Sequence, residues 1–272
     1  MAAPGADGVL RVCADPNSPP LSMRSADGYE NRIAALLADS LGLKLQFYWW
    51  PQRMGFIRHS LREVEPETDH YRCDLVMGVP VGFDLAATTR PYYRSTWAMV
   101  AQKGKGLDNV KTPDDLLKLP KDTLSHLRFG LIARSPPTDW LLKNNLIDQA
   151  TPYVPQSGDP DAYPGQIIEN DLTAGKIDVA VAWGPIAGFF ANKLGPNAIL
   201  IPFPATNKET GIGEVRYDFQ IAMGVRQADK EFLAKVDHFI ETHQPQIDQI
   251  LASYRVPLLD GDGKPLTVAA SR

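Results

Sequence analysis

Five short stretches carry side chains able to hold a ligand. Tyr92-Tyr93-Arg94 sets two phenol rings beside a guanidinium, a combination that suits planar or anionic groups. The competing role packs a tyrosine in the core and leaves Arg94 solvated. Trp49-Trp50-Pro51-Gln52-Arg53 ends a strand with residue types enriched at binding hot spots. Strand alternation sends the two indoles to opposite faces, and core packing is the plainer role for both. Asp15 and Asn17 follow the first strand, where side-chain to backbone turn bonds compete with any ligand role. Glu30 opens a helix and complements its dipole without a ligand. The fifth stretch, Arg134-Ser135-Pro136-Pro137-Thr138-Asp139, runs from a strand into a helix. Its backbone N–H groups can seat a carboxylate or phosphate, or simply cap the helix.

Nothing in the chain reads as a catalytic or metal-binding set. The histidines, His59, His70, His126, His238 and His243, lack zinc-type spacing. The sequence holds no Gly-x-Ser-x-Gly, His-Glu-x-x-His, P-loop or Gly-x-Gly-x-x-Gly. Net charge is -4 with no strongly basic segment, which gives nucleic acid no electrostatic footprint. No apolar run approaches the roughly 20 residues that span a bilayer. The N-terminus, MAAPGADG, has neither the cationic region nor the apolar core of a signal peptide and reads as a mature start. Cys13 and Cys73 are compatible with one bridge or with two buried thiols. Parallel neighbouring strands would set them several residues out of register.

These residues are positioned by a stretch from Cys73 to Val100. A buried strand, Asp74 to Val79, ends at Gly78 and Pro80 and leaves bare backbone at the carboxyl edge of a sheet, where ligands of open α/β sheets bind. The chain re-enters a strand at Trp97. Upstream, strand Val9 to Ala14, helix Tyr29 to Leu41, strand Lys44 to Trp50 and a helix from Arg53 to Glu63, with Met54, Ile57 and Leu61 inward, give β-α-β-α-β order. Downstream, strand Leu127 to Ala133, a helix from Asp139 to Asn144, a long loop from Asp148 to Pro164, helix Gln166 to Ala174 and strand Ile177 to Trp183 give a second such set. Phe219 to Val225 is a returning strand. Helix Asp229 to Thr242 follows and restarts at Pro245. The expectation is an α/β protein of two lobes: residues 9–97 with 224–272, and residues 98–223, joined by hinge strands near 95–102 and 219–226. The tail after residue 254 reads as peripheral.

The ordered phrases CDLVMGV, PYYRS, DVAVAW and IAMGV fall where periplasmic solute-binding proteins of the amino-acid-binding type have their elements. More narrowly, LRVCADPNSPPLS, GYENRIAALLADSLG, YWWPQRMGFIR, RCDLVMGVPVGFD, TTRPYYRST and VAWGP resemble the MxaJ/XoxJ-type proteins. These are solute-binding-protein relatives encoded beside quinoprotein (PQQ-dependent) methanol dehydrogenases and assigned to the periplasm. The resemblance implies a two-lobed type II solute-binding fold, a periplasmic site and a non-enzymatic role. The protein would need no cofactor of its own, be a monomer when free, and have the dehydrogenase as partner. It also favours a Cys13–Cys73 bridge.

Two departures separate the chain from amino-acid carriers. Those relatives carry an arginine just after the Gly-ended strand, where it grips the ligand carboxylate; here the segment is Val81-Gly82-Phe83-Asp84-Leu85. They also carry an aspartate after the second lobe's last strand, facing the ligand ammonium; here it is Trp183-Gly184-Pro185. Each contact of this kind contributes roughly 1.5–3 kcal/mol, so a free amino acid is not the expected ligand. The expected ligand or partner cleft uses Asp15, Asn17, Glu30, Trp50, Arg53, Gly78, Pro80, Tyr92, Tyr93, Arg94, Arg134, Thr138 and Trp183. The alternative role is a receptor feeding an importer with another small organic solute. An enzyme, as among the related cyclohexadienyl dehydratases, has no acid/base pair here to support it.

Overall fold

Apolar alternation builds the first elements. Strand β1 (Val9–Ala14) buries Leu10, Val12 and Cys13. Asp15-Pro16 ends it, and a small hairpin follows, β2 (Asn17–Ser18) with β3 (Ser22–Met23). Helix α1 (Tyr29–Leu41) turns Ile33, Ala34 and Leu37 inward and stops at Gly42, whose left-handed backbone closes the helix end. Strand β4 (Lys44–Trp49) and strand β5 (Leu75–Pro80) flank β1, both parallel to it: Val12 lies opposite Phe47 on one side and Leu75 on the other. The short β6 (Ala87–Thr88) and the long β7 (Tyr93–Gln102) follow.

A computed structural model describes residues 1–154, 159, 161–205 and 215–268. The chain divides into two units. One comprises Met1–Arg94 and Gln220–Leu251, the other Ser95–Phe219 and Ala252–Thr267. The chain leaves unit 1 within β7 and returns within the strand Asp218–Val225.

Residues 53–63 depart from the expected helix. They form successive turns, and Gly55 within them sits at positive φ, outside the helical range. Ile57 and Leu61 are buried, but Met54 is 92% exposed and Phe56 takes the inward place. Cys13 and Cys73 are joined, with Cα atoms 5.5 Å apart. The register objection fails because Cys73 precedes β5 and is not held to its ladder.

Unit 2 continues with two short helices, α2 (Pro113–Leu116) and α3 (Lys121–Ser125), then β8 (Phe129–Ile132) and α4 (Pro137–Lys143). The expected long loop instead contains a strand, β9 (Ala150–Tyr153), parallel to β8; residues 155–158 and 160 of that loop lie outside the described residues. A π-helical turn, Ile167–Leu172, stands in the place of the expected helix at 166–174. Strand β10 (Val179–Trp183) runs straight into α5 (Gly184–Leu194), and β11 (Ala198–Pro202) follows. The sheet orders β9-β8-β10-β7, with β11 on the far side of β7. Met99, Phe129, Leu131, Trp140, Val179 and Val181 are buried together in its core.

Strand β12 (Asp218–Val225) carries the chain back and pairs antiparallel with β5, Ala222 opposite Val79. Helix α6 (Lys230–Ser253) buries Phe232, Val236, Phe239 and Ile240. It does not break at Pro245: burial of Ile247 and Leu251 beyond the proline holds the helix through the one missing backbone bond. The C-terminal segment differs from the expected division. Ala252–Thr267 joins unit 2, where Ser95 Oγ donates to the Pro257 carbonyl at 2.7 Å and Val256 and Leu258 are buried.

Candidate functional site

In unit 1, several sequence-predicted residues meet beyond the ends of β1 and β5, but most face inward. Asp15 Oδ1 accepts the Asn17 N–H at 2.8 Å and Oδ2 accepts the Gln52 N–H at 2.7 Å, so the carboxylate organises turns. Asn17 is half-buried beside it. The tyrosine pair is not a recognition platform. Tyr92 and Tyr93 are buried, the Tyr93 hydroxyl bonds that of Tyr29 at 3.0 Å, and the Tyr92 and Tyr93 rings meet edge to face. A ring beside the site and a ring in the core have the same sequence signature, and packing under α1 won here. Arg94 and Arg53 are half-buried. Trp50 is also half-buried, stacked on Tyr48 and tilted against His59. Pro80 is exposed, and the loop that lacks the carriers' arginine exposes Val81 and Leu85.

Glu30 is the unexpected member. Only 5% of it is exposed, and its Oε1 has no hydrogen-bond partner. It is packed over Gly78, where a Cβ would stand 2.4 Å from Oε1; the φ of +69° there also favours glycine. Burial, reinforced by the negative charge of Asp15, pushes the Glu30 carboxyl up to about 8. At neutral pH it is uncharged, so it does not complement the helix dipole as the sequence implied. The buried Tyr92 hydroxyl also closes no hydrogen bond, and desolvation drives its phenol well above its ordinary value.

Unit 2 presents a different surface. At the end of β10, Trp183 is half-buried and meets two other half-buried rings edge-on: Trp97 at 6.1 Å and Phe219 at 6.0 Å. Gly184 is required next, because a Cβ would stand 2.1 Å from the Thr96 carbonyl oxygen. Strand therefore passes directly into helix with the indole at the junction. Phe219 also lines a cavity of about 440 Å³ with Arg134, Ser135, Thr138, Asp139 and Arg216. Ser135 is buried, and its Oγ and the Thr138 Oγ1 have no hydrogen-bond partner. Arg134 is exposed at positive φ, while Arg216 donates through Nε to the Asp218 carbonyl at 3.0 Å. Buried hydroxyls without partners are rare in folded proteins.

Arg134 and Thr138 thus share one cavity, and Trp183 joins it through Phe219. Sequence reasoning placed Ser135 within the stretch able to seat an anion but missed Trp97, Arg216 and Phe219 as site residues. Trp97 and Phe219 lie in apolar strands, where rings read as core, and both are half-buried.

Among the described residues, no helix is long and apolar enough to cross a membrane, and no cluster of His, Cys, Asp and Glu could hold a metal ion. The architecture is the two-lobed fold of solute-binding proteins. No family model matches the chain. The curated Protein MoxJ of Methylorubrum extorquens is 29% identical over 93% of this chain and 82% of its own length. Among solved structures, the periplasmic binding protein XoxJ from Methylobacterium extorquens AM1 is 32% identical, with a TM-score of 0.71 over 92% of this chain and 99% of its own. MxaJ from Methlophaga aminisulfidivorans MPT is 26% identical, with a TM-score of 0.75 over 92% and 100%. The chain belongs to this MoxJ/MxaJ/XoxJ family of solute-binding-protein-like proteins.

Proposed function

We propose that the protein is a non-enzymatic periplasmic accessory protein of methanol oxidation. It binds a quinoprotein (PQQ-dependent) methanol dehydrogenase and aids its activation or assembly. The observation that carries this reading is likeness to XoxJ and MxaJ along nearly the full length of both chains. The buried disulfide fits an oxidising compartment. The missing arginine at 81–85 and the Trp183 that replaces an acid remove the grips of an amino-acid carrier. Exposed Val81 and Leu85 supply apolar surface of the sort that partner proteins cover. Native mass spectrometry of the chain mixed with the dehydrogenase encoded beside it tests the reading. A stoichiometric complex is expected, and consistent absence of one contradicts it.

A second reading, a receptor that passes a small organic solute to an importer, draws on the unpartnered hydroxyls of Ser135 and Thr138. A ligand at 100 times its Kd would raise stability by about 2.7 kcal/mol. A thermal-shift screen of organic acids, quinones and amino acids that stays silent removes this reading and leaves the first intact.

A further inference from the structure

Two polar side chains in unit 2 are buried with nothing to bond, and both line one cavity. Ser135 is 8% exposed and its Oγ is unpartnered; the Thr138 Oγ1, one helical turn on, is in the same condition. A hydroxyl left unbonded inside a protein is destabilising, so two side by side mark a place where acceptor atoms belong. The charged groups around the cavity are Arg134, Arg216 and Asp139. Arg134 is exposed beside the hydroxyls and has no partner among the described residues. Arg216 is tied to Asp218, 3.7 Å from its carboxylate. Asp139 is exposed, so the lining carries two positive charges to one negative. The remaining wall is a ring, Phe219, with Trp183 and Trp97 continuing the aromatic surface behind it.

We infer that this cavity is a binding site for an aromatic carboxylic acid without an ammonium group. The carboxylate is held by the Ser135 and Thr138 hydroxyls and the Arg134 guanidinium, and the ring packs on Phe219. An anion acceptor satisfies both hydroxyls at once and pairs the free guanidinium in a charge-assisted contact. An aromatic face against the half-buried phenyl ring adds geometry-specific attraction. The cavity volume suits an acid of one or two rings. The ammonium of an amino acid would meet a lining with two guanidinium groups and a single carboxylate, Asp139. The site rests on the cavity named in the second functional reading and is independent of any dehydrogenase.

The test is isothermal titration of the whole chain, without a partner, with four probes. Indole-3-acetate carries both features, indole lacks the carboxylate, succinate lacks the ring, and tryptophan adds the ammonium. Indole-3-acetate is expected to bind one to one and at least about tenfold more tightly than each of the others. Ser135→Ala and Arg134→Gln are each expected to weaken it about tenfold or more. Ser135→Ala removes an unbonded buried hydroxyl and should fold at least as well as the parent; Arg134→Gln changes an exposed side chain and serves if it does not. No saturable binding of indole-3-acetate overturns the assignment, as does binding that both variants leave unchanged. Tighter binding of tryptophan overturns the ligand class. None of these results bears on whether the chain binds the dehydrogenase, which the native mass spectrum reads separately.

Discussion

Where β1 and β5 end, unit 1 has drawn its chemistry inside. Glu30 is packed on Gly78, Tyr92 and Tyr93 are buried, and Asp15 is bonded to two backbone amides. Where β8 and β10 end, unit 2 instead lines a cavity. Trp183, Trp97 and Phe219 are half-buried rings in edge-on contact, and the hydroxyls of Ser135 and Thr138 line the cavity and bond nothing. Both units use β-α-β order, so the difference lies in side chains at equivalent strand ends. It teaches that the same order of elements can end in packed polar groups in one unit and in a ring-lined cavity in the other.

The largest effect expected is on pH dependence in unit 1. An unfolded glutamate ionises from its ordinary value of 4.5, while Glu30 in the folded chain ionises only near about 8. The unfolded state therefore sheds this proton first, and stability falls as pH rises from about 4.5 to about 8. The loss from this group alone is on the order of 4 kcal/mol. Glu30→Gln should flatten that slope, measured as urea-unfolding free energy at pH 5, 6.5 and 8. A slope unchanged in the variant would show that Glu30 is charged when folded, and the contrast with unit 2 would collapse.

The disulfide comes next. Breaking Cys13–Cys73 by Cys73→Ser reopens a loop with a sequence separation of 60 and should cost about 4 kcal/mol in the chain-entropy model. Protease sensitivity at 25 °C checks it, with cleavage expected first in unit 1. Gly78→Ala should cost about 3 kcal/mol, because the new methyl meets Glu30 Oε1 and the backbone there sits at positive φ. The same change made together with Glu30→Ala should recover about 1 kcal/mol or more of that loss. Strict additivity of the two changes would deny the contact.

The smallest stability effect is expected in unit 2. Trp183→Asp puts a carboxylate where a half-buried indole meets Trp97 and Phe219 and should cost about 1–2 kcal/mol, read as a shift of the urea-unfolding midpoint.

How much of this was legible in the sequence follows the same division. The strands were legible, because runs such as CDLVMGV and DVAVAW can only be buried strands, and Gly or Pro marks their ends. The turn role of Asp15 was legible from its Asp-Pro-Asn context. The helix at 53–63 was misread because Met54, Ile57 and Leu61 have helical spacing, while the break at Gly55 depends on a backbone angle. Strand β9 was hidden by Pro152, which sits on an edge strand where its missing N–H removes no needed bond. Tyr92 and Tyr93 were misplaced because exposure of a ring is decided by what packs above it, and no local pattern carries that. Glu30 was unreadable for a related reason: its charge state depends on Gly78, 48 positions further along the chain.

The proposal that this chain binds a dehydrogenase in place of a nutrient is tested most directly by native mass spectrometry of the purified chain with a quinoprotein methanol dehydrogenase, with the free amino acids present in excess as competitors. The account predicts a complex of defined stoichiometry that amino acids do not displace. A chain that ignores the dehydrogenase and emerges loaded with an amino acid would contradict it.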